Sequence, residues 1–284
     1  MPFFNRITIL GPGLLGASLA MAIKKKKLSE KTRIWARKPK SLQKCLEQEW
    51  CDETFDNLED AVIDSDLVII CTPVDHIERV LNEIMPKCSE NTIITDVGSV
   101  KESICKAASE AMIESGGTFI GSHPMAGSEK SGMDYASAEL FENRTCLVTP
   151  DPEKSTDDIE KLENFWKCLG MRVLRQTPEE HDWIVSNISH LPHLIASSLS
   201  SHLSSNPKKW SEMAGQGLKD TTRVAQGDPA LWCEIMKSNH RNLSKSLELW
   251  IESVNRIRDI LREGNWEGLT EYLADAAEYR KGIR

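Results

Sequence analysis

His123 stands in the most chemically loaded stretch of the chain, Gly121-Ser122-His123-Pro124-Met125-Ala126-Gly127-Ser128-Glu129-Lys130-Ser131-Gly132. A histidine, a glutamate and a lysine set among glycines offer a titratable ring, a carboxylate and an ammonium to a ligand. The stretch follows the apolar Thr118-Phe119-Ile120, so residues 118–132 are expected to be a strand running out into a polar loop. In open α/β sheets ligands bind at such strand ends. Gly, Ser and Pro also make ordinary surface turns for backbone reasons alone, so the neighbours must decide.

Further candidates are spread along the chain. Ser99 closes Asp96-Val97-Gly98-Ser99, a loop after the apolar Thr92–Thr95. His181-Asp182 opens a long helical stretch, where Asp182 would also suit a helix N-terminus. His190 and His193 are three apart, but no carboxylate or cysteine stands at ligand spacing beside them, so no metal site is expected. Pro192, between them, should kink the helix read over Pro178–Leu203. Arg223 ends a second glycine-rich stretch, Gly215–Arg223, and could be an ordinary ion-pair partner.

The elements that must position these residues are legible too. Arg6–Leu10 reads as a strand, Gly11-Pro12-Gly13-Leu14-Leu15-Gly16 follows at once, and an Ala- and Leu-rich helix runs to about Lys27. Strand, G-x-G-x-x-G and helix in that order form a dinucleotide-binding turn. Gly11 permits the turn, Gly13 lets backbone approach a pyrophosphate, and Gly16 packs helix on strand, with Leu14 and Leu15 in the same segment. The helix N-terminus then faces the phosphates. After the next strand, Thr32–Ala36, NAD-preferring sites carry Asp or Glu. Ala36-Arg37-Lys38 stands here instead, and an arginine fork can grip a 2′-phosphate, which favours NADP with NAD as the alternative. Thr72-Pro73, after Leu67–Cys71, faces the same crevice.

Leu147–Thr149, a helix near Asp157–Cys168 and Met171–Leu174 complete the alternation, which predicts a doubly wound, mostly parallel sheet over residues 1–177. Past Thr177 no strand is expected, so 178–284 reads as an all-helical domain. There Met236, His240, Leu243, Leu247, Trp250, Val254, Ile257 and Leu261 form a heptad seam, read as packing between subunits. A net charge of −8, with one basic run at Lys24–Lys27, argues against nucleic acid as a partner. No apolar stretch nears the roughly 18 residues of a membrane span. The start lacks a signal peptide, and the eight cysteines show no C-x-x-C pair, so a cytoplasmic protein is expected.

These segments together resemble the prephenate/arogenate dehydrogenase family. The resemblance rests on Gly11–Ser18, Asp96–Lys101, Gly121–Gly132, Glu180–Asp182, Ser189–His193 and Gly217–Arg223, and it covers nearly the whole chain. It implies oxidative decarboxylation of prephenate in tyrosine biosynthesis, or of arogenate, with hydride passed to NAD(P). By this resemblance His123 would accept the hydrogen bond of the substrate 4-hydroxyl and Ser99 would orient it. Arg223 would bind carboxylate, His193 would contact substrate, and Glu129, His181 and Asp182 would form a polar network at the entrance. A homodimer through the helical domain is implied as well. Pro12 and Ala36-Arg37 depart from the family pattern. A β-hydroxyacid dehydrogenase would need a lysine base, for which Lys219, expected in a loop, is the nearest candidate; a non-catalytic nucleotide sensor would have no need of Ser99, His123, His193 and Arg223 together. The length leaves no room for a regulatory domain, so feedback by tyrosine is expected at the active site.

Overall fold

The computed structural model describes residues 3–111, 117–127, 130–153 and 155–283. It forms two compact units, Met1–Asn239 and His240–Arg284.

The first unit is built on six parallel strands: β1 (Phe4–Leu10), β2 (Ser29–Trp35), β3 (Glu53–Phe55), β4 (Leu67–Ile70), β5 (Ile93–Asp96) and β6 (Thr118–Phe119). Between them run α1 (Leu14–Lys26), α2 (Pro39–Leu46), α3 (Leu58–Val62), α4 (Val74–Ile84) and α5 (Glu102–Ala111). The strand order β3-β2-β1-β4-β5-β6 is that of doubly wound dinucleotide-binding sheets. β4, Leu-Val-Ile-Ile, is apolar throughout because helices cover both faces of the sheet. Ile7, Ile9, Leu19 and Ile23 pack on one side, and Val68, Ile70, Ile77 and Leu81 on the other. The expected Rossmann-like architecture is present.

One feature departs from the expected single sheet. β6 pairs with β5 for two residues, and after Ile120 the chain enters β7 (Gly121–Pro124), which belongs to a second sheet. β7 runs antiparallel to β8 (Thr145–Thr149), which runs parallel to β9 (Arg172–Arg175). The expected loop at His123 is therefore strand, and the last two expected strands are not part of the doubly wound sheet. The physical cause lies at Gly121 and Asp96. A Cβ on Gly121 would lie 2.4 Å from Thr149 Oγ1, so only glycine lets β7 cross this close. Asp96 Oδ1 accepts the Ser122 N–H at 3.2 Å, replacing a ladder bond. Ser122 Oγ accepts from Thr95 Oγ1 at 2.8 Å and from Trp166 Nε1 at 3.0 Å, the latter on α6 (Thr156–Cys168). One hydroxyl thus ties both sheets to that helix.

From Pro178 the first unit is helical: α7 (Pro178–Val185), α8 (Leu191–Ser204), α9 (Lys209–Glu212), α10 (Gln216–Thr222) and α11 (Pro229–Ser238). No strand follows β9 among the described residues. α7 starts with a full capping box, Thr177 and Glu180 each bonding the other's backbone N–H at 3.1 Å. The interruption expected at Pro192 lies just upstream, as a turn of π-helix over Ser186–His190. Proline cannot donate, and its ring crowds the carbonyl four residues back, so the helix widens before it.

The second unit is a helical hairpin of α12 (His240–Glu263) and α13 (Trp266–Gly282). Gly264 turns with φ 65°, Asn265 caps α13 by accepting the Gly268 N–H at 2.9 Å, and Ser253 and Tyr272 hydroxyls meet at 2.9 Å. The expected heptad seam is not one helix: Met236 lies on α11, and Asn239 separates it from α12. Trp250, Val254 and Leu261 of the seam are exposed. No helix among the described residues is long and apolar enough to cross a membrane.

Candidate active site

The cofactor half is assembled at the carboxyl ends of β1, β2 and β4. Gly11 turns with φ 106°, and a Cβ there would crowd Cys71 O at 3.0 Å. On Gly16 a Cβ would lie 2.1 Å from Gly11 O, so this glycine sets how closely α1 sits on the turn. Gly13 differs, because a Cβ would meet nothing within 4 Å. The chain's own packing does not demand glycine there. Gly13 is also the N-cap of α1 and makes no side-chain cap bond, which leaves first-turn N–H groups for an anion. Gly13→Ala is accordingly expected to keep thermal stability to within about 0.5 kcal/mol while weakening nicotinamide dinucleotide binding roughly tenfold or more. Thermal melts and cofactor titration by tryptophan fluorescence check both; a stable variant with unchanged affinity would free Gly13 of a ligand role.

A cavity of about 610 Å³ opens here, lined by Gly11, Gly13, Ala36, Arg37, Lys38, Thr72 and Pro73. Its size suits a cofactor site. Leu14 and Leu15 are half-buried and Gly16 is buried; none of the three lines it. Ser41 and Lys44 on α2, and His76 and Arg79 on α4, join the lining. Thr72 Oγ1 is buried with no hydrogen-bond partner among the described residues, an orphan that a bound polar group would satisfy. The free helix end, the open space at Gly13 and the cationic rim all fit a dinucleotide.

The second half is assembled from β5, β7 and α7. His123, on β7, points Nδ1 at His181 Nε2 at 2.9 Å. His181 Nδ1 meets Asp182 Oδ1 at 2.7 Å. Asp182 also accepts the backbone N–H groups of Lys101 at 2.7 Å and Glu102 at 3.0 Å, closing the start of α5. Beneath them Lys101 Nζ pairs with Asp96, both fully buried, and Gly98 N donates to Asp96 Oδ2 at 2.8 Å. Asn239 Nδ2 donates to Asp182 O at 2.7 Å and approaches His190 Nδ1 at 3.3 Å. His193, on α8, stacks on Trp232 with ring centroids 3.7 Å apart.

Burial governs the charges. It holds the His123 imidazole well below its usual value, and His181, Lys101 and His190 push the same way. His181 is lowered by burial despite its bond to Asp182. His190 falls to about 4, chiefly by burial, and His193 is lowered by burial against a backbone bond to Val224. Around pH 7 the cluster is a set of neutral rings able to accept a proton.

His123, His181 and Asp182 are thus brought into one line. His181 and Asp182 are buried beneath His123, where an entrance position was expected. Ser99 is half-buried on the loop after β5 and makes no hydrogen bond among the described residues. Arg223 is exposed at the end of α10. Glu129 lies outside the described residues. Lys219 sits exposed on α10, where a loop was expected. Among the described residues no group of three or more His, Cys, Asp or Glu could hold a metal ion. Sequence reasoning assigned no role to Lys101, Trp232 or Asn239. Only Lys101 left a trace, as a cation five residues from Asp96 beside an apolar strand.

Comparison with known proteins bears on this geometry. The prephenate dehydrogenase nucleotide-binding domain matches residues 19–175, and the prephenate dehydrogenase dimerization domain matches 177–275. The prephenate dehydrogenase of Bacillus subtilis is 34% identical over 98% of this chain and 76% of that protein. The structure of prephenate dehydrogenase from A. aeolicus in complex with hydroxyphenyl propionate and NAD+ is 28% identical, with a TM-score of 0.90 over 99% of this chain and 98% of that one. Synechocystis arogenate dehydrogenase is 28% identical, with a TM-score of 0.86 over 98% of this chain and all of that one. The fold that carries the cofactor sheet and the histidine line is therefore similar over nearly the whole chain to these enzymes, and the protein belongs to the prephenate/arogenate dehydrogenase family as an NAD(P)-dependent dehydrogenase.

Proposed function

We propose that the chain converts prephenate to 4-hydroxyphenylpyruvate and CO₂, with His123 as the base and NADP as the preferred hydride acceptor. The observation that carries this is His123 itself: buried, held neutral, and with no hydrogen-bond partner at Nε2 among the described residues. Such a ring can accept the 4-hydroxyl proton while C4 is oxidised to a carbonyl carbon. When bound, the nicotinamide takes up the hydride from C4. The C1–carboxylate bond breaks to release CO₂, its electron pair passes through the ring to the 4-oxygen, and that oxygen takes the proton back from His123 as the ring becomes aromatic. Ser99, with its free hydroxyl, would hold the same 4-oxygen, and Arg223 would fork a substrate carboxylate. His193, braced flat on Trp232, would contact the side chain. Arogenate, which differs from prephenate in carrying an amino group for the keto group, is the second reading, and the Synechocystis likeness supports it.

NADP is favoured because the cavity rim carries Arg37, Lys38 and Ser41 at the start of α2, with no carboxylate beside Ala36. A charge-assisted bond to phosphate contributes about 1.5–3 kcal/mol. Arg37→Ser should therefore lower kcat/KM with NADP by roughly 10–100-fold and change it with NAD by less than about threefold. Initial rates crossing prephenate and arogenate with both cofactors, for both proteins, test the reading. Equal losses with NAD and NADP would return Arg37 to a plain surface charge, and no turnover of either substrate would remove the function. The exposed apolar residues of α12 support a homodimer through the helical part, with the first domain ending near residue 177. The eight free cysteines suit a reducing, cytoplasmic setting.

A further inference from the structure

We propose that Asp182 and His181 are positioning residues that fix the tautomer of His123 and so decide which of its nitrogens carries the lone pair. This rests on the reading of His123 as the base. Both Asp182 oxygens already accept a backbone N–H, from Lys101 and from Glu102, so the carboxylate faces His181 as an acceptor. His181 Nδ1, 2.7 Å away, must then hold that ring's hydrogen. A neutral His181 has only one, so its Nε2 is an acceptor. The ring that it faces, at 2.9 Å, is His123 through Nδ1. His123 therefore donates from Nδ1 and keeps its lone pair on Nε2, the nitrogen without a partner among the described residues. One orientation satisfies every group in the line, and it leaves the base ready at the open end.

The charged and titratable groups facing this line are Lys101 and Asp96 from the β5–α5 segment and His190 from the π-turn. Lys101 disfavours an imidazolium on either ring, while Asp182, through its hydrogen bond and charge, and Asp96, through its charge, favour one on His181. Asp182→Asn presents an N–H to His181 Nδ1 if its amide turns that way. That reverses both rings and puts hydrogen on His123 Nε2.

The expected result for Asp182→Asn is a fall in kcat of about 10²–10⁴-fold, with cofactor Kd unchanged. The acid limb of kcat/KM should move to lower pH, since removing the anion makes the pair harder to protonate. A role limited to closing the start of α5 would lower thermal stability and leave the limb in place. Two variants at His181 serve if Asp182→Asn does not fold. His181→Gln can offer Oε1 where Nε2 stood and should stay within about tenfold of the parent, whereas His181→Leu should lose about 10²–10⁴-fold. Equal activity in the two His181 variants, or an unshifted limb with near-full kcat in Asp182→Asn, overturns the proposal. Should His123→Asn also keep its activity, the reading of His123 as base falls instead.

Discussion

Replacing His123 by asparagine should lower kcat by about 10²–10⁴-fold, the usual value of a positioned base, while the cofactor binds as before. Asparagine can place Nδ2 where the imidazole Nδ1 stood and so keep the bond to His181 Nε2 at the site now spanning 2.9 Å. What it cannot supply is an acceptor at the Nε2 position. The 4-hydroxyl proton then has to leave to water, in a cleft that burial keeps poor in water. Because His123 does not line the cofactor cavity, cofactor affinity should not follow. Stopped-flow single turnover with saturating cofactor separates the two quantities. Retention of near-full kcat would take His123 out of the chemistry.

Replacing Lys101 by methionine should cost about 3–5 kcal/mol of stability, because it strands a buried carboxylate. Lys101 Nζ bonds Asp96 and also Val100 O at 2.9 Å, and neither ionic side chain reaches solvent. Asp96 would keep the Gly98 and Ser122 N–H bonds, at 2.8 and 3.2 Å, but lose its cation. The double variant Lys101→Met/Asp96→Asn should recover part of the loss, since a neutral amide oxygen still accepts those bonds. Urea titration at fixed protein concentration reads the difference. A single-variant cost below about 1 kcal/mol would mean that water reaches the pair.

The doubly wound half was legible because its physics is local. A parallel strand covered on both faces must be largely apolar, Gly11 is demanded by its own φ of 106°, and Gly16 by its contact with Gly11 O within the turn. The second sheet was not legible. β7 is Gly-Ser-His-Pro, which has neither alternation nor β-branching, and it is a strand only because β8 and the Asp96 side chain bond it from far along the chain. The same distance hid the histidine line. His181 lies 58 residues beyond His123, and nothing near either announces that both are buried. The family resemblance implied an entrance position for His181-Asp182, and polar pairs of this kind are mostly exposed. Partners brought from α5 and from Asn239 make the burial tolerable. Pro192 correctly marked a disturbed helix, yet its effect fell on the preceding turn, where the crowded carbonyl is.

The passage of one strand from the cofactor sheet into its neighbour has a consequence for how the reaction distance is kept. Phe119 is the last residue paired in the first sheet and His123 the third in the second, so an extended segment of about 13 Å joins them. That segment acts as a ruler cut from backbone. The distance from the end of β6 to His123 does not depend on a hinge closing or on a loop being caught in the right pose. Rim residues around the nucleotide and around the substrate side chain can be exchanged freely without touching its length. Adding or removing one residue in it would turn the histidine to the far side of β7.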